Sequence, residues 1–298
     1  MTERRPSAVT RDQRDAELDK LPWRGRAEGR PGLAVPPAPM PLLLGRRFRK
    51  RWRWVGAFAE NLIAFAAIVG VGPSSMTFWG IWDRERRRLW ERSRRGAPWR
   101  RPEVAMRGRA VHVRAGSIEF DLELGEGTPI ECMCPNGEGG YTWTRKAAGM
   151  PVHGEVRIGR RTNKLDGLGV EDDSAGYHAR YTSWKWSAGV GTGRDGRSFA
   201  WNLVSGINDP PSASERTIWL AGKPTEPGPV AFQGLDTIHF EDESRLSFNA
   251  ETQRTHHEGI PLLARSDYEA PLGTFSGTLM GLSVESALGV MEAHDAVW

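Results

Sequence analysis

Ile118-Glu119-Phe120-Asp121-Leu122-Glu123-Leu124 alternates throughout, four apolar residues interleaved with three acids. Successive side chains of an extended chain point to opposite faces, so this stretch reads as a strand with one buried and one wet face. Gly125-Glu126-Gly127 then supplies the turn that ends it. Val152-His153-Gly154-Glu155-Val156-Arg157-Ile158 repeats the pattern. Further strands are expected at 51–58, 62–71, 76–83, 110–114, 182–190, 198–205, 217–221, 237–241, 245–251 and 290–298. Turn signals such as Arg194-Asp195-Gly196 and Glu241-Asp242-Glu243-Ser244 separate them. Residues 83–95 are the one candidate helix, but Leu89 and Trp90 are adjacent and form no stripe, so a hairpin turning near 85–87 is expected. Many short strands with Gly-rich turns define an all-β protein of barrels or sandwiches.

Arg51-Trp52-Arg53-Trp54-Val55-Gly56 is echoed by Ser183-Trp184-Lys185-Trp186-Ser187-Ala188-Gly189. Each is followed by an aromatic strand, Thr77-Phe78-Trp79-Gly80-Ile81-Trp82 or Ser198-Phe199-Ala200-Trp201-Asn202-Leu203. The echo favours two similar barrels over one large sheet. At 298 residues the chain is long enough for two cores. The expected division is a disordered charged tail over 1–20, a first barrel half over 21–165 and a second over 166–298. Six prolines between Leu21 and Leu44 exclude a regular helix and predict an extended lead-in to the first half.

The net charge of +4 conceals an asymmetry: residues 1–120 hold 26 Lys/Arg against 12 Asp/Glu, and the remainder 15 against 25. Such halves attract each other, or the basic half faces an acidic partner. Only six of the 41 cations are lysine, which fits GC-rich codon usage as well as any arginine-specific recognition. Lys50-Arg51-Trp52-Arg53-Trp54 has a composition that stacks and neutralises single-stranded nucleic acid. Strand alternation alone produces the same string, so nucleic-acid binding is not the favoured reading. Cys132 and Cys134 share a strand face, poor geometry for a disulfide, and no metal-spaced histidine accompanies them. Reduced thiols in the cytoplasm are expected. The apolar run Val55–Gly72 is broken by Glu60 and Asn61, whereas a membrane span needs about 20 nearly uncharged residues. A soluble protein with no membrane span is expected.

Candidate site residues cluster around 172–209. Asp172 and Asp173 precede a predicted Ser174-Ala175-Gly176 turn; Tyr177 and His178 follow, then Trp184 and Trp186 share one strand face, and Trp201 and Asn202 come next. Acids beside an aromatic wall suggest a ligand-holding barrel, with Trp184, Trp186, Trp201, Asn202 and Tyr177 as lining. Asp172, Asp173 and His178 are the proton-transfer candidates, since burial raises a carboxylate's pKa and makes it a usable acid. The competing reading makes the two aspartates turn caps. Glu292, His294 and Trp298 fall on one face of the last strand, and residues two apart there lie about 7 Å apart at Cα, close enough for Glu292 to set the tautomer of His294. Such a pair equally closes a barrel. Glu131, inside an apolar strand, is expected to pair with Arg145. His256-His257-Glu258 reads as a hairpin tip, and Asn208-Asp209-Pro210-Pro211 as a loop whose return Glu215 and Arg216 anchor. No nucleotide or metal motif appears, so no cofactor is expected.

The chain resembles a bacterial family, domain-of-unknown-function family 2804. The strings that carry the resemblance are 22–26, 50–54, 77–84, 131–137, 140–146, 172–186, 202–209 and 273–277, nearly the whole chain after residue 20. More distantly it is similar to the lipocalin-like (calycin) group that includes carotenoid hydratases and tocopherol cyclases. That likeness implies paired, packed lipocalin-like antiparallel barrels with an isoprenoid-sized cavity, and it transfers no catalytic residue. Three functional readings stay open. One is acid-catalysed hydration, cyclisation or isomerisation of a hydrophobic isoprenoid-, polyketide- or lipid-like molecule. Another is non-catalytic carriage of such a ligand, and the third is an Arg-rich module docking on nucleic acid or protein.

Overall fold

A computed structural model describes residues 11–97, 99–260 and 264–297. The protein is all-β. Nine strands of the first half are β1 (Lys50–Phe58), β2 (Leu62–Val71), β3 (Ser74–Asp83), β4 (Arg88–Arg95), β5 (Val104–Arg107), β6 (Ala110–Ala115), β7 (Ile118–Leu124), β8 (Tyr141–Ile158) and β9 (Arg161–Gly176). Nine of the second half are β10 (Tyr181–Thr192), β11 (Ser198–Ser205), β12 (Thr217–Leu220), β13 (Lys223–Thr225), β14 (Val230–Gln233), β15 (Thr237–Phe240), β16 (Arg245–Ile260), β17 (Ala264–Leu279) and β18 (Leu282–Val297).

The first sheet runs β4-β3-β2-β1-β9-β8-β7-β6-β5 and the second β13-β12-β11-β10-β18-β17-β16-β15-β14. These are the same path: in each half the first strand pairs antiparallel with the last, and neighbours in sequence pair outward from that seam. Strand n of the first half therefore corresponds to strand n+9 of the second. The Trp-x-Trp segments occupy equivalent strands, β1 and β10. Their aromatic followers do not, because 77–82 lies in the third strand of its half and 198–203 in the second.

Each sheet curls around its own filling. Val55, Ala57, Val111, Val113, Phe120, Leu122 and Val152 pack inside the first, and Phe199, Trp201, Leu203, Ile238, Leu246 and Phe275 inside the second. A third apolar layer, with Trp54, Phe58, Ile63, Phe65, Phe78, Trp186, Val190 and Trp219, joins the sheets. This explains why the run from Val55 is apolar on both faces: one face fills the first half and the other meets the second.

Most expected strands are present, and 83–95 is the expected hairpin, with β3 ending at Asp83 and β4 starting at Arg88. Others are longer than expected. β8 extends through 141–158 because Gly149, at φ 75°, absorbs a register shift between Ala148 and Met150 that interrupts the alternation. The chain leaves the first sheet at Gly176 and joins the second at Tyr181, later than the 165/166 division expected from sequence.

The lead-in is more than an extended surface segment. Leu33, Val35 and Met40 pack against Met133, Tyr141, Trp143 and Tyr177, and Arg24 donates to the Ser214 and Arg216 carbonyls at 2.5 and 3.1 Å. Within the expected disordered tail, Arg11–Leu18 forms a helix, α1. Glu17 accepts the Gly32 N–H at 2.5 Å, and Leu18 packs beside the lead-in. Residues 1–10 lie outside the described residues. Among the described residues no helix is long and apolar enough to cross a membrane.

Candidate active site between the sheets

The cavity that draws the candidate residues together lies between the two sheets, not inside a barrel. Inside each sheet the apolar side chains pack against one another. Its volume is about 210 Å³. Trp52, Trp54, Val69, Met76 and Phe78 form one wall, and Trp184, Trp186, Val204, Ile207 and Tyr268 the other. Trp52 stacks parallel to Trp184 with centroids 6.4 Å apart, and Trp54 meets Trp186 edge-on at 5.4 Å.

Each wall carries a carboxylate at an equivalent place. Asp172 lies opposite Trp54 in the β9–β1 register, and Glu292 opposite Trp186 in the β18–β10 register. Trp52 Nε1 donates to Asp172 Oδ2 at 3.3 Å, and Trp184 Nε1 to Glu292 Oε1 at 2.8 Å. Each first tryptophan of a Trp-x-Trp pair thus holds the acid on the strand that closes its own sheet.

Around these acids the halves diverge. Lys146, opposite Asp172 in β8, bonds Asp172 Oδ1 at 2.6 Å and reaches Glu215 Oε1 at 3.3 Å. Asp172 also accepts from Ser174 Oγ at 2.8 Å. Asn208 donates to Glu215 Oε2 at 3.0 Å, and Asn202 ties the assembly to the wall by accepting from Trp186 Nε1 and donating to the Glu215 carbonyl. Burial raises the Glu215 pKa, opposed by Lys146. For Lys146 burial acts downward, but attraction to Asp172 and Glu215 prevails and its pKa is raised.

On the other wall Glu292 has histidine, tyrosine and serine beside it. His294 Nε2 is 2.8 Å from Ser266 Oγ, and His294 Nδ1 lies 3.8 Å from Glu292 Oε1, beyond hydrogen-bond range. The imidazole packs on Trp184 at 4.1 Å. Tyr268 bonds both Glu292 and Arg254, and burial pushes its phenol well above the usual range. Arg254 lies 4.3 Å from the Phe78 ring centroid and is anchored by Glu91 at 2.9 Å.

Of the site residues expected from the sequence, Asp172, Glu292, His294, Trp184 and Trp186 line this cavity, with Asn202 directly behind Trp186. Asp172 and Asp173 do not flank a turn, for β9 continues to Gly176. Strand parity sends Asp173 to the opposite face, where Arg51 lies 3.4 Å away. Tyr177 packs under the lead-in and donates to the Pro41 carbonyl at 2.7 Å. His178 is buried against Trp52, and burial together with Lys50 and Arg47 lowers its pKa to about 3. Trp201 sits inside the second sheet, donating to Ser187 Oγ at 3.0 Å. Trp298 lies outside the described residues.

Glu131 pairs with Arg30 of the lead-in, at 2.6 Å through Nη2, and accepts from Trp143 at 2.9 Å. Arg145, the expected partner, instead bonds Glu171 at 2.7 Å. Arg53 takes the other oxygen of Glu171, so the basic face of β1 is spent on ion pairs. His256 and His257 lie within β16 and not at a tip: His256 lines the cavity and His257 meets Asp267 at 3.1 Å. Arg216 anchors the proline loop as expected, donating to the Asp209 and Pro210 carbonyls at 3.1 and 2.9 Å. Cys132 and Cys134 are free and buried, and burial raises the Cys132 thiol well above its usual range. Among the described residues no group of three or more His, Cys, Asp or Glu is placed to hold a metal ion.

Sequence reasoning misses Lys146, Glu215, Arg254, Ser266 and Tyr268 as cavity residues. Lys146 alone gives a signal, being one of six lysines and followed by Ala147 and Ala148 in a buried strand.

Two antiparallel sheets of shared topology, each with its own apolar core and joined across an aromatic cavity, define the class. The chain belongs to the family described as domain of unknown function DUF2804, whose model matches residues 101–298. Comparison with curated proteins finds no match. Among solved structures, kievitone hydratase from Nectria haematococca is similar at 11% identity, over 84% of this chain and 88% of its own, with a TM-score of 0.49. CghA is similar at 12% identity over 83% and 88%, with a TM-score of 0.41.

Proposed function

We propose that this protein holds a largely apolar small molecule between its sheets and uses its own side chains to move a proton on it, in a hydration, cyclisation or isomerisation. One observation carries the reading: two tryptophan walls face each other, and each fixes a carboxylate by an indole N–H at an equivalent position. Apolar walls bind the body of the molecule, while the few convergent polar groups orient its reacting part. Lys146 is spent on Asp172, so that pair supplies fixed charge. Glu292 takes the proton-transfer role, standing beside the Tyr268 phenol and the His294 imidazole where Asp172 stands beside Lys146. The phenol stays protonated, and its one O–H is given to Glu292, holding that carboxylate in place. In an isomerisation the proton taken by Glu292 from one carbon is returned to another; in a hydration Glu292 takes a proton from water as the water oxygen bonds one alkene carbon, and the other carbon receives the proton.

Carriage without chemistry is the second reading. Favouring it, Lys146 already satisfies both Asp172 and Glu215, as in a purely structural cluster.

Native mass spectrometry of protein purified from its host identifies the retained molecule. Incubating that molecule with the protein in D2O then separates the readings. Catalysis predicts deuterium in the molecule with wild type and little with Glu292→Gln, which still binds it. Binding without exchange in wild type leaves carriage.

A further inference from the structure

A second concavity, of about 810 Å³, adjoins the first. Val69, Val71, Met76 and Ser266 border both, so the larger space is a shelf onto which the inter-sheet cavity opens. The inner cavity, at about 210 Å³, is smaller than the roughly 300–1,000 Å³ that enclose an ordinary small-molecule ligand. A molecule seated between the tryptophans has room to continue past Ser266 onto the shelf.

Among the described residues the charge on that shelf has one sign: its lining includes Arg94, Arg95, Arg100, Arg101 and Arg265 and no Asp or Glu. Arg94 meets Glu103 at 2.6 Å, Arg265 meets Asp267, and Arg95 is engaged as well. Arg100 and Arg101 stand exposed in the connection between β4 and β5. Ile68, Val69, Pro73, Met76 and Val104 supply an apolar floor beneath them.

We propose that the ligand is an amphiphile: an apolar chain or ring system lies between the sheets, and an anionic group, carboxylate or phosphate, rests among the shelf arginines. This rests on the inter-sheet cavity being the binding site. Guanidinium groups suit both anions, since their planar N–H pairs match two oxygens at once. The orientation follows. The neutral end reaches Glu292 and Tyr268, so proton transfer takes place on the part of the molecule far from its charge.

The test compares each anion with its neutral analogue: oleate with oleyl alcohol, and farnesyl diphosphate with farnesol. Tryptophan fluorescence reports binding at low salt, below the aggregation limit of each probe. At least one anion binds about tenfold more tightly than its alcohol, and the preference shrinks at high salt because exposed charges are screened. The pair that shows the preference tells carboxylate from phosphate. In Arg100→Gln/Arg101→Gln, checked for an unchanged circular dichroism spectrum, most of the preference is lost while alcohol binding stays within about twofold. Alcohols binding as tightly as both anions overturn the amphiphile, yet leave the cavity reading intact. If none of the four probes binds, the cavity reading falls and the amphiphile with it.

Discussion

Trp52 and Trp184, 132 residues apart, lie parallel across the interface of the two sheets, their planes 4° apart and centroids separated by 6.4 Å. They occupy equivalent positions in equivalent strands, and each indole N–H holds a carboxylate on the strand that closes its sheet. The cavity is thus built twice from one plan and then made unequal. Lysine and serine accompany the first acid; histidine and tyrosine accompany the second.

Replacing each of these tryptophans with phenylalanine keeps a ring but removes the donor. A hydrogen bond to a charged group contributes about 1.5–3 kcal/mol. Trp184→Phe removes the 2.8 Å bond to Glu292, whereas Trp52→Phe removes a 3.3 Å bond to an acid that Lys146 and Ser174 also hold. Urea denaturation is expected to show the larger loss for Trp184→Phe. Equal losses would mean that the indoles matter only as packing.

Lys146→Met leaves Asp172 and Glu215 close together in a buried place without their cation. Removing one partner of a buried ion pair costs about 3–5 kcal/mol. Protonation relieves the two acids, so the variant should lose less stability at pH 5 than at pH 8, measured against wild type. Adding Asp172→Asn and Glu215→Gln should restore most of the loss at pH 8. A pH-independent deficit would argue that the lysine stem, not its charge, supports the site.

Alternation makes the all-β class legible, and the Trp-x-Trp echo points to the duplication, since both depend only on neighbours in the chain. The cavity's location does not follow, because Trp52 and Trp54 can face a lumen or a partner sheet with the same parity. Asp172-Asp173-Ser174-Ala175-Gly176 has the composition of a turn, but its acids meet cations from other strands, Lys146 and Arg51, and the strand runs on. Glu215, in sequence, is only a loop anchor. Its role depends on Lys146, 69 residues earlier, and no local pattern records that pairing. Arg145 is the reasonable partner for Glu131, directly opposite it in the register. The lead-in's Arg30 takes the place because Arg145 turns to Glu171.

The N-terminal segment offers a simple check on packing. A disordered tail contributes nothing to stability, but α1 sets Leu18 beside the lead-in and Glu17 on the Gly32 N–H. Deleting residues 1–20 is therefore expected to lower the melting temperature by a few degrees, about 2–4 °C for each kcal/mol lost in a chain of this order of size. Leu18→Ala should reproduce part of the drop. An unchanged melting temperature in both would show that the helix docks without stabilising anything.

His178 predicts the acid limb of the stability profile. Its side chain is buried against Trp52, and its pKa falls from 6.5 to about 3 through burial first and then Lys50 and Arg47. Between these values the unfolded chain holds a proton at this residue that the folded chain does not. Stability from this group is thus complete above about pH 6.5 and declines as pH falls toward 3, by at most about 1.4 kcal/mol per pH unit. His178→Asn removes the titration. Its stability relative to wild type should therefore improve steadily from pH 7 to pH 4, whatever constant packing loss the substitution adds. Carboxylates shared by the two proteins cancel in that difference, which urea denaturation at each pH measures. A difference that stays flat across this range would show that folded His178 accepts a proton as readily as a histidine in water.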